Sequence, residues 1–303
     1  MKMKITKTIA LSLALGLSTA LMATPNVPIG DMKAGLAKMA GEKGIFAKHE
    51  MFPKDYFLIS KNLPFSVGLT LHHPQSSKLG LSKEQIDKIK QIKADTMPKV
   101  IESALKIKKL ELALSQRMMS GAKAEDELSA VDAIASKKAA LTKEHLRCIA
   151  SVRAILEPAQ RKILLSYASA KMKKSSAKKH KAGAVELPHP MHILMSSTKE
   201  LNISNKQQEQ LDAILATVPT KMHAMMDMAE TLEHSIKEAV MHEKKTKESL
   251  ASDIDFLQSV KREISDTQIS TINRIQNILS DKQYDGLITK LRAAHKGHKK
   301  HKH

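Results

Sequence analysis

The stretch LGLSKEQIDKIKQI, residues 79–92, decides the fold, because LNISNKQQEQLDAI, residues 201–214, repeats it 122 positions later. Each carries Ser-x-x-Gln ahead of apolar residues at helical spacing. In a capping box of this form the serine oxygen accepts from the N–H three residues on, while the glutamine reaches back to the serine N–H. Ser82 with Gln85 and Ser204 with Gln207 are therefore expected to open one helix each.

A second pair of markers lies further on. Gln160, in LEPAQRKIL, and Gln283, in LSDKQYDGLI, differ by 123 positions. Ser280 with Gln283 repeats the capping box, and Glu157-Pro158 sets an acid at the cap and proline at the first helical position, where its missing N–H is harmless. Two markers at a nearly constant offset define one duplicated unit. Between them HLRCIASVRAIL (145–156) lies over QISTINRIQNIL (268–279), pairing Leu146 with Ile269, Ile149 with Ile272, Val152 with Ile275 and Leu156 with Leu279. What the copies share is an apolar face.

Composition agrees with an all-α fold: 3% aromatic residues, no Trp and 11 Gly among 303 residues favour long helices over sheets. In the second unit Leu211, Leu215, Val218, Met222, Met225, Ala229, Leu232, Ile236 and Ala239 step by four and three, a seam that has to meet another helix. Leu250, Ile254, Leu257 and Ile264 offer the facing surface. The expectation is two tandem bent helical-hairpin units, each of two long antiparallel helices followed by a short capped terminal helix. The turns fall near Ser120-Gly121 and between Glu243 and Lys247, and Pro98 and Pro219 should kink or break the outgoing helices. Each hairpin leaves an apolar face uncovered, so the units should form an intramolecular pseudo-dimer, with a higher oligomer open.

The organisation read from the chain is a signal peptide over 1–23, an extension without an assignable role over 24–70, a first unit over 71–170, a basic linker over 171–186, a second unit over 187–292 and a His/Lys-rich tail over 293–303. The leader MKMKITKTIALSLALGLSTALMA combines Lys2, Lys4 and Lys7 with a short uncharged run and small residues near its end, which directs export rather than stable membrane insertion. Cys148 is the only cysteine, so no intramolecular disulfide staples the fold. The formal charge of +19 falls to +16 without the leader lysines and favours acidic clients. Aromatic platforms for bases are lacking, which argues against nucleic acid.

Helices that open with Leu-Ser/Thr-x-x-Gln, once near the start of a unit and once at its end, behind a signal peptide, resemble the paired LTxxQ motif of the CpxP/Spy family of periplasmic stress proteins. The matching positions are Leu81 to Gln85, Leu156 to Gln160, Ile203 to Gln207 and Leu279 to Gln283, none with threonine. The resemblance implies periplasmic localisation, a bent helical hairpin that dimerises into a cradle, and one of three roles. These are an ATP-independent holdase chaperone that binds partly unfolded proteins in the envelope stress response, a regulator of a sensor kinase, or a heavy-metal-binding resistance or sensor protein akin to the ZraP and CnrX type.

His223, Asp227, Glu230, His234 and Glu238 form one stripe on the long helix of the second unit. Imidazole with carboxylate suits zinc, nickel or cobalt, and Met226, Met228 and Met241 add thioethers for copper. At the offset of 122 the first unit has Ile101, Leu105, Lys108 and Leu112, so ligand-type residues stand mainly where apolar ones stood. One straight helix cannot close a tetrahedral shell, so a second element has to contribute; the other reading is a solvated face. His295, His298, His301 and His303 in the tail read either as a weak chelator or as a solvated basic end. No cofactor is required by either reading.

Met222, Met225, Met226 and Met228 read first as core filling and second as a client surface. His72, His73, His189 and His192 read as loop residues. His145 and Cys148 lie near one another on a return helix, but Gln268 and Thr271 replace them in the second unit. With no acid pair, Gly-rich loop or Ser/His/Asp pattern, the chain does not read as an enzyme.

Overall fold

The computed structural model describes residues 56–59, 63–173, 183–185, 187–242, 245 and 247–300. The leader falls outside them. The described elements are helical, with no strand among them: α1 (Ser66–His72), α2 (Lys83–Met119), α3 (Leu128–Ile155), α4 (Pro158–Lys173), α5 (Pro190–Ser196), α6 (Asn205–Met241), α7 (Lys247–Ile278) and α8 (Asp281–Lys300), with 3-10 turns at Ser76–Leu79 and Ala124–Glu127.

The capping chemistry is as the spacing requires. Ser82 Oγ accepts from the Gln85 N–H at 3.1 Å while Gln85 Oε1 accepts from the Ser82 N–H at 3.0 Å. Ser204 with Gln207 and Ser280 with Gln283 make the same two bonds. At the fourth copy only the returning half forms, from the Glu157 N–H to Gln160 Oε1 at 2.9 Å. Gly80 and Asn202 occupy equivalent positions before the boxes, and both adopt left-handed backbone, with φ of 57° and 52°. That conformation favours glycine and, next to it, asparagine.

Pro98 and Pro219 do not break their helices: α2 and α6 each run 37 residues without interruption. Both prolines are exposed, and so are Ala94 and Leu215, the residues four positions earlier whose carbonyls lose their N–H partner.

Contacts fix the directions of the long helices. Glu111 meets Lys138 and Arg117 meets Glu127, whereas Gln85 meets Ile155, so α2 and α3 run antiparallel. Gln207 meets Ile278 and Lys221 meets Glu263, so α6 and α7 do likewise. The two halves then meet through α3 and α7. Along that seam Lys143 pairs with Asp255, Ser136 with Gln258 and Arg262 with Asp132. One number rises as the other falls, which makes this crossing antiparallel too.

Each hairpin tip rests on the base of the other half. Gln276 Nε2 donates to Ala122 O at 2.8 Å and its Oε1 accepts from the Ala124 N–H at 2.9 Å. In the equivalent place Arg153 donates to Val240 O. Leu146, Ile149, Met225, Ile236, Ile254 and Leu257 share one buried cluster, so the core is continuous across the halves.

Two expectations need correction, and part of the span 24–70, left without a role, gains a place in the core: Tyr56, Phe57, Leu58 and Ile59 are buried, and Leu58 and Ile59 lie in the cluster shared by both halves. The span 171–186 is not wholly unpacked, since α4 continues to Lys173 and Ala184 and Val185 are buried. Leu215 is not core. It is 38% exposed, and its neighbour Ile214, at 1%, packs with Leu194, Leu211, Ile275 and Leu287. The four-three seam assumes that α6 meets one partner along its whole length. At its base it meets the cluster around Leu194 and Leu287, which turns a different face inward.

Candidate functional site

The glutamines of the capping boxes have a second task. Gln85 Nε2 donates to Gln160 Oε1 at 2.9 Å, and Gln160 Nε2 donates to Gln85 Oε1 at 3.1 Å. Gln207 and Gln283 repeat this head-to-tail pair at 2.8 and 3.1 Å. Each pair also reaches backbone carbonyls, those of Ile155 and Gly80 in the first half and those of Ile278, Leu201 and Asn202 in the second. The amide pair thus locks the start of one long helix, the end of the other and the start of the terminal helix at one point. This explains why the motif occurs in pairs.

A second repeated polar device lies between the halves. Lys138 and Lys261 are buried, at 4% and 3% exposure, and occupy equivalent positions in KAALT (138–142) and KREIS (261–265). Lys138 pairs with Glu111 at 2.6 Å and donates to Ala184 O at 2.8 Å. Lys261 pairs with Glu233 and donates to Leu58 O at 2.8 Å. Each lysine therefore holds the segment that leads into the other half. An unpaired charge in that setting is expensive, and the carboxylate and carbonyl together offset the cost.

The halves differ where those leading segments continue. In the first, Phe57 stacks on His145 with ring centroids 4.7 Å apart, Phe65 lies on His145 at 4.8 Å, and His145 Nε2 is 3.1 Å from Pro64 O. Equivalence of Leu58 O with Ala184 O puts Gly183 in the place of Phe57. His189 stands for Phe65 and Gln268 for His145. The rings are gone, and an open groove of about 250 Å³ lies beside α5, α6 and α7. Its lining is mainly apolar: Pro188, Pro190, Met191, Ile214, Leu215, Val218, Pro219, Met222 and Ile272, with His189, Gln268 and Thr271. Gln268 Oε1 is buried without a hydrogen-bond partner among the described residues.

From the groove an apolar stripe continues along α6. Leu215, Pro219, Met222 and Met226 follow at steps of four, three and four, which places them on one face. Met226 and Met228 are exposed rather than core, whereas Met225 is buried and Met222 partly so. Phe256 on α7 is also exposed.

His223, Asp227, Glu230 and His234 all face solvent on α6. Among the described residues no three His, Cys, Asp or Glu side chains come together to hold a metal ion. Glu238 instead lies 3.2 Å from His242 Nε2. His295 and His298 lie in the last turns of α8, and His301 and His303 fall outside the described residues.

Of the histidines expected in loops, His72 closes α1 and His192 lies within α5, while His73 stacks on Tyr167 at 4.1 Å. His189 borders the groove. Cys148 sits in a partly buried apolar setting, and burial together with Glu144 pushes its thiol up to about 11. It is therefore protonated and unreactive near neutrality.

Sequence reasoning passed over the buried lysines and met Gln268 only as the counterpart of His145. The lysine signal was present, since Glu111 and Glu233 differ by 122 positions and Lys138 and Lys261 by 123. The groove had only an indirect signal, the loss of Phe and His at matched positions. Among the described residues no helix is long and apolar enough to cross a membrane. The chain matches no protein-family model, no curated protein and no solved structure.

Proposed function

We propose that this chain is an exported, periplasmic, ATP-independent holdase of the envelope-stress type, which captures partly unfolded proteins. The observation that carries this reading is the open groove continuing into exposed Met226 along α6. Unbranched thioether side chains adapt to guests of different shape. The formal charge of +16 that remains without the leader lysines supplies a long-range attraction for acidic segments, which precedes apolar contact. The four-fold resemblance to the paired LTxxQ motif supports the same reading, now with a physical role for each glutamine.

Light scattering of an acidic, aggregation-prone client, with no nucleotide present, tests this. Suppression should be strong at low salt and weaken as the Debye length contracts to about 3 Å at 1 M. Unchanged aggregation at equimolar chain would contradict it.

A second reading, binding of zinc, nickel, cobalt or copper for resistance or sensing, is favoured by the common exposure of His223, Asp227 and His234. Calorimetry with each ion decides it: tight binding abolished by His223→Ala with His234→Ala supports metal binding, and binding left unchanged by that pair opposes this site.

A further inference from the structure

We infer that residues 32–46, upstream of the described chain, dock on the outer face of α2 and cover an apolar row formed there by Ile101, Leu105 and Leu112. These three stand at steps of four and seven, so they share one face of the helix. Ile101 and Leu105 are half-buried and Leu112 is 40% exposed. None of them belongs to, or packs against, the four buried clusters of the described residues. An apolar row along one side of a helix calls for a cover.

The second half shows what the same positions hold when the residues leading into it offer no cover. His223, Asp227 and His234 stand for Ile101, Leu105 and Leu112, and all three are exposed. The residues that lead into that half, 174–182, read KSSAKKHKA and contain no apolar residue larger than alanine. The first half is preceded instead by Met32, Leu36, Met39 and Phe46, whose steps of four, three and seven place them on one helical face. An apolar lead-in thus goes with an apolar row, and a polar lead-in with a polar one. Gly35, Gly41 and Gly44 lower the segment's own helix preference, so its helix depends on the contact with α2.

The place where the described residues begin brings the segment to α2. Tyr56 and Phe57 share a buried cluster with Val100, Ala104 and Ile107, the helical neighbours of the row. Ala104 is fully buried at 0% exposure, whereas Met226, its counterpart on α6, is 37% exposed. Ten residues separate Phe46 from Tyr56, enough to span about 33 Å when extended. The row from Ile101 to Leu112 is about 17 Å long, so the segment reaches all of it. The inference does not rest on the capture reading.

The test is a photo-crosslink on the full chain, with p-benzoylphenylalanine in place of Met39, mapped by peptide mass spectrometry. Irradiation should join residue 39 to α2 between residues 97 and 112 of the same chain. Ile101→His with Leu105→Asp, which copies residues that the second half already carries on α6, should lower that yield by about tenfold with α2 intact, as expected when two apolar contacts are lost. If that variant does not fold, Leu36→Ala with Phe46→Ala, which alters only the segment, takes its place and should lower the yield as far. Crosslinks that fall on α6, or that join two chains, would overturn the inference; in the second case another copy is the cover. No crosslink within the chain, or a yield that the variants leave unchanged, would overturn it as well.

Discussion

Gln85 and Gln160, 75 residues apart, exchange two amide hydrogen bonds of 2.9 and 3.1 Å, and each also completes the start of its own helix. Local capping and tertiary closure thus pass through the same side chain. A double-substitution cycle with Gln85→Ala and Gln160→Ala should show coupling of about 0.5 to 1.5 kcal/mol in denaturant unfolding, the range for a net hydrogen bond and for contacting residues. Strict additivity would mean that the pair does not act as a unit.

The buried ion pairs predict a steep dependence on one carboxylate. Glu233→Ala leaves Lys261 buried without its counter-charge and should cost about 3 to 5 kcal/mol, as should Glu111→Ala beside Lys138. Replacing both members of a pair by apolar residues of similar volume should cost much less. Urea midpoints of the single and paired variants make the comparison, and equal losses would contradict it.

The corrected register of α6 is tested by three substitutions. Ile214→Ala should lose about 2 to 5 kcal/mol as a core truncation. Ser204→Ala should lose about 1 kcal/mol with its cap. Leu215→Ala should stay within about 0.5 kcal/mol, as expected of a surface position. A loss at Leu215 as large as at Ile214 would restore the seam read from the heptad spacing.

Cys148 gives a pH prediction with a definite sign. Its folded pKa is raised from 9.0 to about 11, chiefly by burial. The folded state therefore holds a proton that the unfolded state releases, so this contribution to stability is complete below pH 9 and is lost as pH rises towards 11. The difference in unfolding midpoint between the parent chain and Cys148→Ala isolates it from the lysines. That difference should be constant below pH 9 and shift against the parent above it.

Much of the fold is legible in the sequence because capping boxes and apolar periodicity are local. Ser82, Ser204 and Ser280 each mark a helix start by their spacing to a glutamine, and the aligned Ile and Leu of α3 and α7 are buried as their pattern requires. Leu215 was misread because a heptad spacing does not specify which neighbour turns the helix at its base. The prolines do not break their helices because a missing hydrogen bond at the surface is tolerated. The groove was hidden for a further reason. It lies where His189 and Gln268 stand in place of Phe65 and His145, and such an absence becomes visible only once the two halves can be laid over one another in space.

Capture by the stripe of the second half is the central claim, and one aggregation assay tests it most directly. The chain is compared at equimolar ratio with a Leu215→Asp, Met226→Asp variant, both sites being exposed in the fold. Light scattering of an acidic client is followed without nucleotide, and thermal unfolding of both chains is measured alongside. The account predicts that the parent suppresses scattering and that the variant, with an unfolding transition close to the parent's, has lost most of that ability. Full suppression by an intact variant would contradict it.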